Sequence, residues 1–182
     1  MKDKIIFLDF DGVITLPPHW NINADKLKNL KKIVDATNAK IVISSSWRGL
    51  DLASTKEFIF KHIKRCARNK MINWFEDNIY DITPVAGFRG EEIQKWIDSH
   101  DIENYVILDD DSDMLDSQWQ HFVQTNFEFG LTEQQVCLSI KVLNNERIYN
   151  KLGLNSIINY AWLLKCDGMG DNLNKLLKYE QK

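Results

Sequence analysis

Two carboxylates, Asp9 and Asp11, stand two residues apart directly after an apolar run, and Gly12 follows them. Like charges this close repel one another unless a cation or a shared proton relieves them. The preceding residues, 5–8, are all apolar, which predicts a strand buried on both faces, as in parallel sheets. Because ligands bind beyond the carboxyl ends of such strands, the two aspartates are a candidate reactive site. The alternative is a strand that simply ends in acidic turn residues.

Hydroxyl groups follow a second apolar run. Residues 40–43 predict another short buried strand, and Ser44 and Ser45 come directly after it. Between the two strands, apolar residues recur at helical spacing over 24–37, with an asparagine on either side as a capping residue. A strand–helix–strand unit of this kind places its two strands side by side and parallel. The serines are therefore expected at the same sheet edge as the aspartates.

A third apolar run leads into Asp109, Asp110 and Asp113, and Arg89 opens a helix predicted over 90–99. Carboxylates suit a cation that prefers oxygen ligands, and a guanidinium together with hydroxyls suits a phosphate. An aspartate beside a cation can act as a nucleophile, and a second one can move a proton. These groups together predict metal-assisted phosphoryl transfer, with Mg²⁺ as a cation that often shares its site with phosphate oxygens.

The remaining pattern predicts an α/β protein with a three-layer, Rossmann-like parallel sheet. Further helices are predicted over 51–66 and 132–144, further strands at 79–83 and 122–125, and a loop at 16–21, whereas 71–78 is left unassigned. The pattern changes at residue 146. We therefore expect a core domain at 1–145 and a helical extension at 146–182 that packs on it.

Composition narrows the class of protein. The 182 residues are 44% hydrophobic, which is enough for a core, and a net charge of −3 gives no general affinity for nucleic acid or anionic membranes. A basic stretch at 61–70 is interpreted as a solvated helix face, with nucleic-acid contact as the alternative. The three cysteines form no CxxC pair, and no apolar stretch is long enough to span a bilayer. A reducing, cytoplasmic setting without a membrane partner is expected.

These motifs resemble those of the haloacid dehalogenase (HAD) superfamily. The resemblance rests on DFDGV at 9–13, IVISSSW at 41–47 and VILDDDSD at 106–113, each in the context of an apolar strand. More narrowly, SSSWR at 44–48, FRGEEIQKWI at 88–97, YVILDDDSDM at 105–114 and FGLT at 129–132 resemble the HAD domains associated with Swiss army knife RNA repair proteins. The resemblance covers residues 4–143 and says nothing about the tail.

The resemblance implies roles for individual residues. Asp9 would be the nucleophile and Asp11 the general acid/base, and an Asp at the second position is typical of phosphatases in this superfamily. The phosphate-binding groups implied are the hydroxyl of Ser45, with that of Ser44 as the alternative, and the cation of Arg89, with Lys95 as a weaker candidate.

The resemblance also implies a magnesium site. A carboxylate oxygen of Asp9 and the backbone carbonyl of Asp11 would bind Mg²⁺ together with an acid from the third motif. A paired-acid form of that motif selects Asp110, with Asp109 in support, and this is the assignment we prefer. A D-x-x-x-D form selects Asp109 and Asp113 instead.

The segments after the first two motifs are too short for a separate cap domain, so an essentially capless HAD-type domain is expected. Because such domains often act on macromolecular ends, the phosphorylated substrate is expected to be a small molecule or a nucleic-acid end. The alternative is a catalytically silent HAD-fold binding or regulatory module, which the retention of both Asp9 and Asp11 disfavours. A receiver-type signalling domain fits less well, since the acidic motif comes first in the chain.

Overall fold

The computed structural model describes residues 2–63 and 70–145, which belong to one compact unit. The predicted extension at 146–182, and with it the domain boundary, and most of the basic stretch at 61–70 lie outside the described residues and stay predictions. Within the described ranges, none of the helices has both the length and the apolar character needed to cross a membrane.

A five-stranded parallel sheet with helices around it forms the fold. The strands in chain order are β1 (Asp3–Leu8), β2 (Thr15–Leu16), β3 (Asn21–Ile22), β4 (Lys40–Ile43), β5 (Ile79–Ile82), β6 (Ile102–Asp109) and β7 (Phe122–Gln124). The helices are α1 (Ala24–Thr37), α2 (Leu52–Ile63), α3 (Lys70–Asn78), α4 (Arg89–Asp98) and α5 (Glu133–Leu143), with a 3₁₀ turn at Asp116–His121. The sheet order is β5-β4-β1-β6-β7, and β2 and β3 form a separate antiparallel hairpin.

The predicted α/β, Rossmann-like class is confirmed, including the parallel pairing of β1 with β4. Two local predictions were incomplete. Residues 16–21 were predicted as a loop, and 17–20 do form a turn, but Leu16 and Asn21 belong to the strands of the hairpin. These strands are only two residues long and leave no alternation to detect. Residues 71–78 belong to α3, a single short helix that ends where β5 begins. Among the described residues, the segment after β1 thus contains a small hairpin, and the segment after β4 contains two helices.

Alternate residues of β1 pack on opposite faces of the sheet. Ile5 and Phe7 lie in one apolar cluster with Ile93 and Trp96 of α4. Since successive side chains of a strand point to opposite faces, Ile6 faces the other layer, where α1 and α5 contact each other. All four residues from Ile5 to Leu8 are fully buried, as expected for the central strand of a covered sheet.

The hydrogen-bond ladder continues one residue beyond several strands. The N–H groups of Asp9, Ser44 and Thr83 each donate, at 2.9 Å, to a carbonyl near the end of the neighbouring strand. These residues are therefore held by the sheet itself rather than by flexible loops. The carboxyl edge of the sheet consequently fixes the start of both the aspartate motif, residues 9–13, and the serine motif, residues 44–48.

Candidate active site

Asp9 is the first residue after β1 and is only 6% exposed. Its Oδ1 accepts a hydrogen bond from Nη2 of Arg89 at 3.2 Å, and the Ser45 hydroxyl and the Phe10 N–H also bond to the carboxylate. Burial raises the pKa of Asp9 to about 6, although Arg89 and the hydrogen bond from Ser45 act in the opposite direction. The residue thus carries a buried carboxylate with a cation and a hydroxyl beside it.

The carboxylate of Asp11 is held by two donors from other parts of the chain. The hydroxyl of Thr15 donates to its Oδ1 at 2.6 Å, and the indole N–H of Trp47 donates to its Oδ2 at 3.1 Å. The Trp47 ring in turn stacks on Phe10, with 5.1 Å between ring centroids. Both oxygens of Asp11 therefore have a fixed direction. This link between two motifs was not predicted from the sequence.

Three carboxylates meet at the ends of β1 and β6. Asp9, Asp109 and Asp110 can each offer one oxygen, and these three oxygens lie within 4.8 Å of one another. Burial, together with the charge of Asp9, raises the pKa of Asp109 to about 8, and burial likewise raises the pKa of Asp110. Such a group is costly to ionise without a cation, and carboxylate oxygens are the ligands that Mg²⁺ prefers. The residues present fit a divalent cation of this kind.

Gly12 makes room for this cluster. Its φ of +67° lies in the left-handed region, and a Cβ placed on it would overlap the carboxyl group of Asp110. Glycine adopts this conformation without strain and has no side chain to displace the carboxylate. The glycine after the aspartate pair is thus required both by the turn and by the close approach of β6.

Arg89 is the first residue of α4, and its guanidinium bonds to the carboxylates of Asp9 and Asp109. Its Nε donates to Oδ2 of Asp109 at 3.1 Å and its Nη2 reaches Asp9, while Nη1 lies 3.5 Å from Oε2 of Glu92. Lys95, the weaker candidate for this cation, is exposed on the last turn of the same helix. The structure therefore brings Arg89, rather than Lys95, to the acidic cluster.

The two candidate serines face different neighbours. Ser45 bonds to the carboxylate of Asp9, whereas the Ser44 hydroxyl lies 3.4 Å from that of Thr83 at the end of β5. Both serines are buried. The structure therefore brings Ser45, rather than Ser44, to the carboxylate of Asp9.

Asp113 caps α4 instead of joining the carboxylate group. Its Oδ2 accepts the N–H of Arg89 at 3.2 Å, and its carbonyl accepts the N–H of Gly90 at 3.1 Å. Phe88, at the N-cap position, has no side-chain acceptor for these donors. The acidic cluster found among the described residues does not contain Asp113, so the structure brings Asp110, rather than Asp113, to Asp9 and Asp109.

An aromatic pair joins the turn between β2 and β3 to the loop after β7. The rings of Trp20 and Phe127 meet edge to face at 5.1 Å, and the two residues are 37% and 48% exposed. Trp20 has a φ of +49°, which is a strained conformation for a bulky residue. Nearby, the Thr125 hydroxyl donates to the Gly12 carbonyl at 2.8 Å, so the Phe127 loop is tied to the aspartate motif.

A parallel sheet with an aspartate pair after its central strand and further acids after the neighbouring strand defines a HAD-type domain of the hydrolase class. The chain matches the model of the family described as the HAD domain in Swiss Army Knife RNA repair proteins over residues 5–136, and it belongs to that family. The resemblance seen in the sequence is therefore confirmed. Neither the curated proteins nor the solved structures contain a match to this chain.

Proposed function

We propose that this protein is a magnesium-dependent phosphatase that hydrolyses phosphomonoesters through an aspartyl-phosphate on Asp9. The observation that carries the proposal is that one buried carboxylate, that of Asp9, lies close to three kinds of group at once. These are the guanidinium of Arg89, the hydroxyl of Ser45 and the carboxylates of Asp109 and Asp110. Nucleophile, phosphate-binding donors and cation ligands are then adjacent, as metal-assisted phosphoryl transfer requires.

In the first half-reaction, a carboxylate oxygen of Asp9 attacks phosphorus, and the bond between phosphorus and the ester oxygen breaks. Asp11 donates a proton to the departing oxygen, so the leaving group departs as an alcohol. In the second half-reaction, water attacks the phosphorus of the aspartyl-phosphate and gives a proton to Asp11. Inorganic phosphate leaves, and Asp9 is again a free carboxylate. Arg89 and Ser45 hold the phosphoryl oxygens during both steps.

Asp9, Asp109 and Asp110 would hold Mg²⁺ through carboxylate oxygens, and Asp11 through its backbone carbonyl. When bound, the cation supplies charge neutralisation for the phosphoryl oxygens and for the crowded carboxylates. Orientation of the acid/base falls to this chain's own residues, because Thr15 and Trp47 hold both oxygens of Asp11.

The substrate proposed is a phosphate end of a nucleotide or nucleic acid, in a cytoplasmic setting. The family's description refers to RNA repair proteins, which supports this class. The exposed Trp20–Phe127 pair supports it independently, since bases stack on aromatic side chains with about 1–3 kcal/mol per base. The net charge of −3 means that local groups at the site, rather than a general positive field, would have to provide the attraction.

Hydrolysis of p-nitrophenyl phosphate, with magnesium and with a chelator, tests the activity. We expect turnover that needs magnesium and is abolished in Asp9→Asn, which keeps the shape of the side chain but removes the nucleophile. Asp11→Asn should slow turnover yet retain magnesium binding, since only its carbonyl is a proposed ligand. Asp101→Asn is the matched control, because Asp101 is an exposed acid that pairs with Lys2 just before β6. Activity that survives Asp9→Asn would sink the nucleophile assignment.

The substrate class is tested on a panel of nucleoside 5′- and 3′-monophosphates, oligonucleotides with phosphate ends, and glycerol phosphate. We expect the highest kcat/KM on nucleic-acid ends, and a rise in KM for these substrates, but not for glycerol phosphate, in Trp20→Ala. If the wild-type protein binds phosphate and magnesium but hydrolyses no member of the panel, the silent HAD-fold module becomes the better description.

A further inference from the structure

We propose that Glu92 is a positioning residue that holds the guanidinium of Arg89 in the orientation that binds the phosphoryl group. This role rests on the proposed phosphatase function, because Arg89 is assigned there to the phosphate. Glu92 lies three residues after Arg89 on α4, and Arg89 Nη1 is 3.5 Å from its Oε2. Glu92 itself lies outside the acidic cluster that would bind the cation.

The side chain of Glu92 is itself firmly held. Arg48 donates to both carboxylate oxygens of Glu92. Its Nη1 donates to Oε2 at 2.8 Å, and its Nη2 donates to Oε1 at 2.9 Å. The N–H of Ala86 donates to Oε1 at 3.2 Å. Both side chains of the Arg48–Glu92 pair are about nine-tenths buried. A buried, bidentate ion pair of this kind fixes the orientation of the Glu92 carboxylate as well as its distance from Arg48.

Arg48 ties this pair to the edge of the sheet. Its Nη1 also bonds to the hydroxyl of Thr83, the residue held by the extended ladder after β5. Glu92 is therefore fixed relative to the same edge that fixes Asp9. Although burial of Glu92 opposes ionisation, the hydrogen bonds from Arg48 and Ala86 hold the pKa of its carboxyl below the usual range.

Charge balance explains why two arginines are needed. Arg48 compensates the charge of Glu92, so Glu92 can orient Arg89 without cancelling its positive charge. The other two contacts of Arg89, with Asp9 and Asp109, involve groups that change partners when a cation and a phosphate bind. Glu92 is not a proposed ligand of the cation or of the phosphate. Its contact with Arg89 therefore persists when Asp9 and Asp109 change partners.

A double-mutant cycle separates this role from a merely structural one. The dissociation constant of inorganic phosphate is measured by calorimetry, in magnesium, for wild type, Glu92→Gln, Arg89→Gln and the double variant. We expect Glu92→Gln to weaken phosphate binding about tenfold when Arg89 is present and by less than about twofold when it is absent. The melting temperature should fall in both backgrounds, because the bond to Arg48 is altered in both. An equal loss of phosphate affinity in the two backgrounds overturns the proposal.

Two further arms keep the experiment decisive. Glu91→Gln, an exposed neighbour on α4, is the matched control and should leave phosphate binding unchanged. If Glu92→Gln does not fold, Arg48→Gln combined with Glu92→Gln removes both buried charges together, and it should show the same loss.

A spectroscopic measurement tests the positioning without phosphate. The Nη1–H signal of Arg89, identified by its disappearance in Arg89→Gln, reports the nitrogen that faces Glu92. It should be protected from solvent exchange in the wild type and lose that protection in Glu92→Gln. An unchanged signal overturns the positioning role. If the wild type neither binds nor hydrolyses phosphate, the proposed phosphatase function fails, while this spectrum still decides whether Glu92 orients Arg89.

Discussion

The indole N–H of Trp47 donates to Oδ2 of Asp11 across 3.1 Å, so a residue of the serine motif orients the proposed acid/base. Trp47→Phe keeps the ring that stacks on Phe10 but removes this donor. We expect kcat on an alkyl phosphate to fall about tenfold, because a poor leaving group needs a well-placed proton. With p-nitrophenyl phosphate, whose leaving group needs little protonation, the loss should stay below about twofold.

Trp96→Phe is the matched control for this prediction. The Trp96 indole also donates to an aspartate, Asp81, at 2.7 Å, but Asp81 is not part of the acidic cluster. The control should lower stability without changing the ratio of the two kcat values. If Trp47→Phe slows both substrates equally, Trp47 does not act through proton donation.

Gly12→Ala should affect folding and cation binding together. The positive φ costs about 1–3 kcal/mol for a residue with a side chain, and the added methyl group would displace the Asp110 carboxylate. We expect a lower free energy of unfolding in urea and weaker magnesium binding by calorimetry. In Gly87→Ala the new methyl group meets only the carboxylate of Glu91, the far end of a flexible side chain, so both quantities should stay near wild type. Normal magnesium affinity in Gly12→Ala would contradict the close packing.

The metal-free protein should lose stability as the pH rises from about 4 to about 8. Since the folded-state pKa of Asp109 is raised from 3.8 to about 8, the folded chain binds more protons than the unfolded chain in this window. The free energy of unfolding must then decrease with increasing pH. Thermal melts in a chelator should show this fall, and magnesium should reverse it at pH 8 while doing little at pH 5. Asp109→Asn should flatten the profile, and a melting temperature that rises steadily over this range in the chelator would be inconsistent with it.

Two aspartates of the third motif should respond differently to substitution. Asp113→Ala removes the acceptor at the start of α4 and should cost about 0.5–2 kcal/mol of stability, as the loss of a helix cap does. Its magnesium affinity should remain within about twofold of wild type, because Asp113 lies outside the cluster. Asp110→Asn should instead weaken magnesium binding while preserving α4. The reverse pattern in calorimetry would favour the D-x-x-x-D assignment.

The two serines provide a matched pair. Ser45→Ala removes the hydroxyl that bonds to Asp9 and should lower kcat/KM on p-nitrophenyl phosphate about tenfold, since a hydrogen bond to a charged group contributes about 1.5–3 kcal/mol. Ser44→Ala removes only a contact with Thr83 and should change kcat/KM by less than about threefold. Larger effects at Ser44 would move the phosphate contact to that residue.

Helix α1 and the central strands could be predicted from residues that are close together in the sequence. Asn23 accepts from the N–H groups of Asp25 and Lys26, and Asn38 ends the helix in the left-handed conformation, so both ends follow from capping chemistry that is visible in the sequence. The apolar residues of β1 likewise predicted a strand covered on both faces. Such features depend on neighbours along the chain, which the sequence displays directly.

Contacts between distant segments could not be predicted in the same way. The bond from Trp47 to Asp11 and the pair formed by Arg48 and Glu92 join residues that are far apart in sequence, and no periodicity marks them. Only the spacing of Glu92 from Arg89, three residues on one predicted helix, was a usable signal. These two contacts depend on the sheet, which brings the segments after β1, β4 and β5 to the same edge.

The position of β1 in the middle of the sheet also has a consequence for biosynthesis. β1 leaves the ribosome before the other strands of this sheet and can pair with β4, but its second partner, β6, begins only at Ile102. At roughly 5–20 residues per second, translation of the intervening segment takes several seconds. During that interval one edge of a strand whose last four residues, 5–8, are all apolar has no partner in the sheet, which is the kind of edge that recruits other chains. Nascent chains that stall before β6 should therefore depend strongly on chaperones.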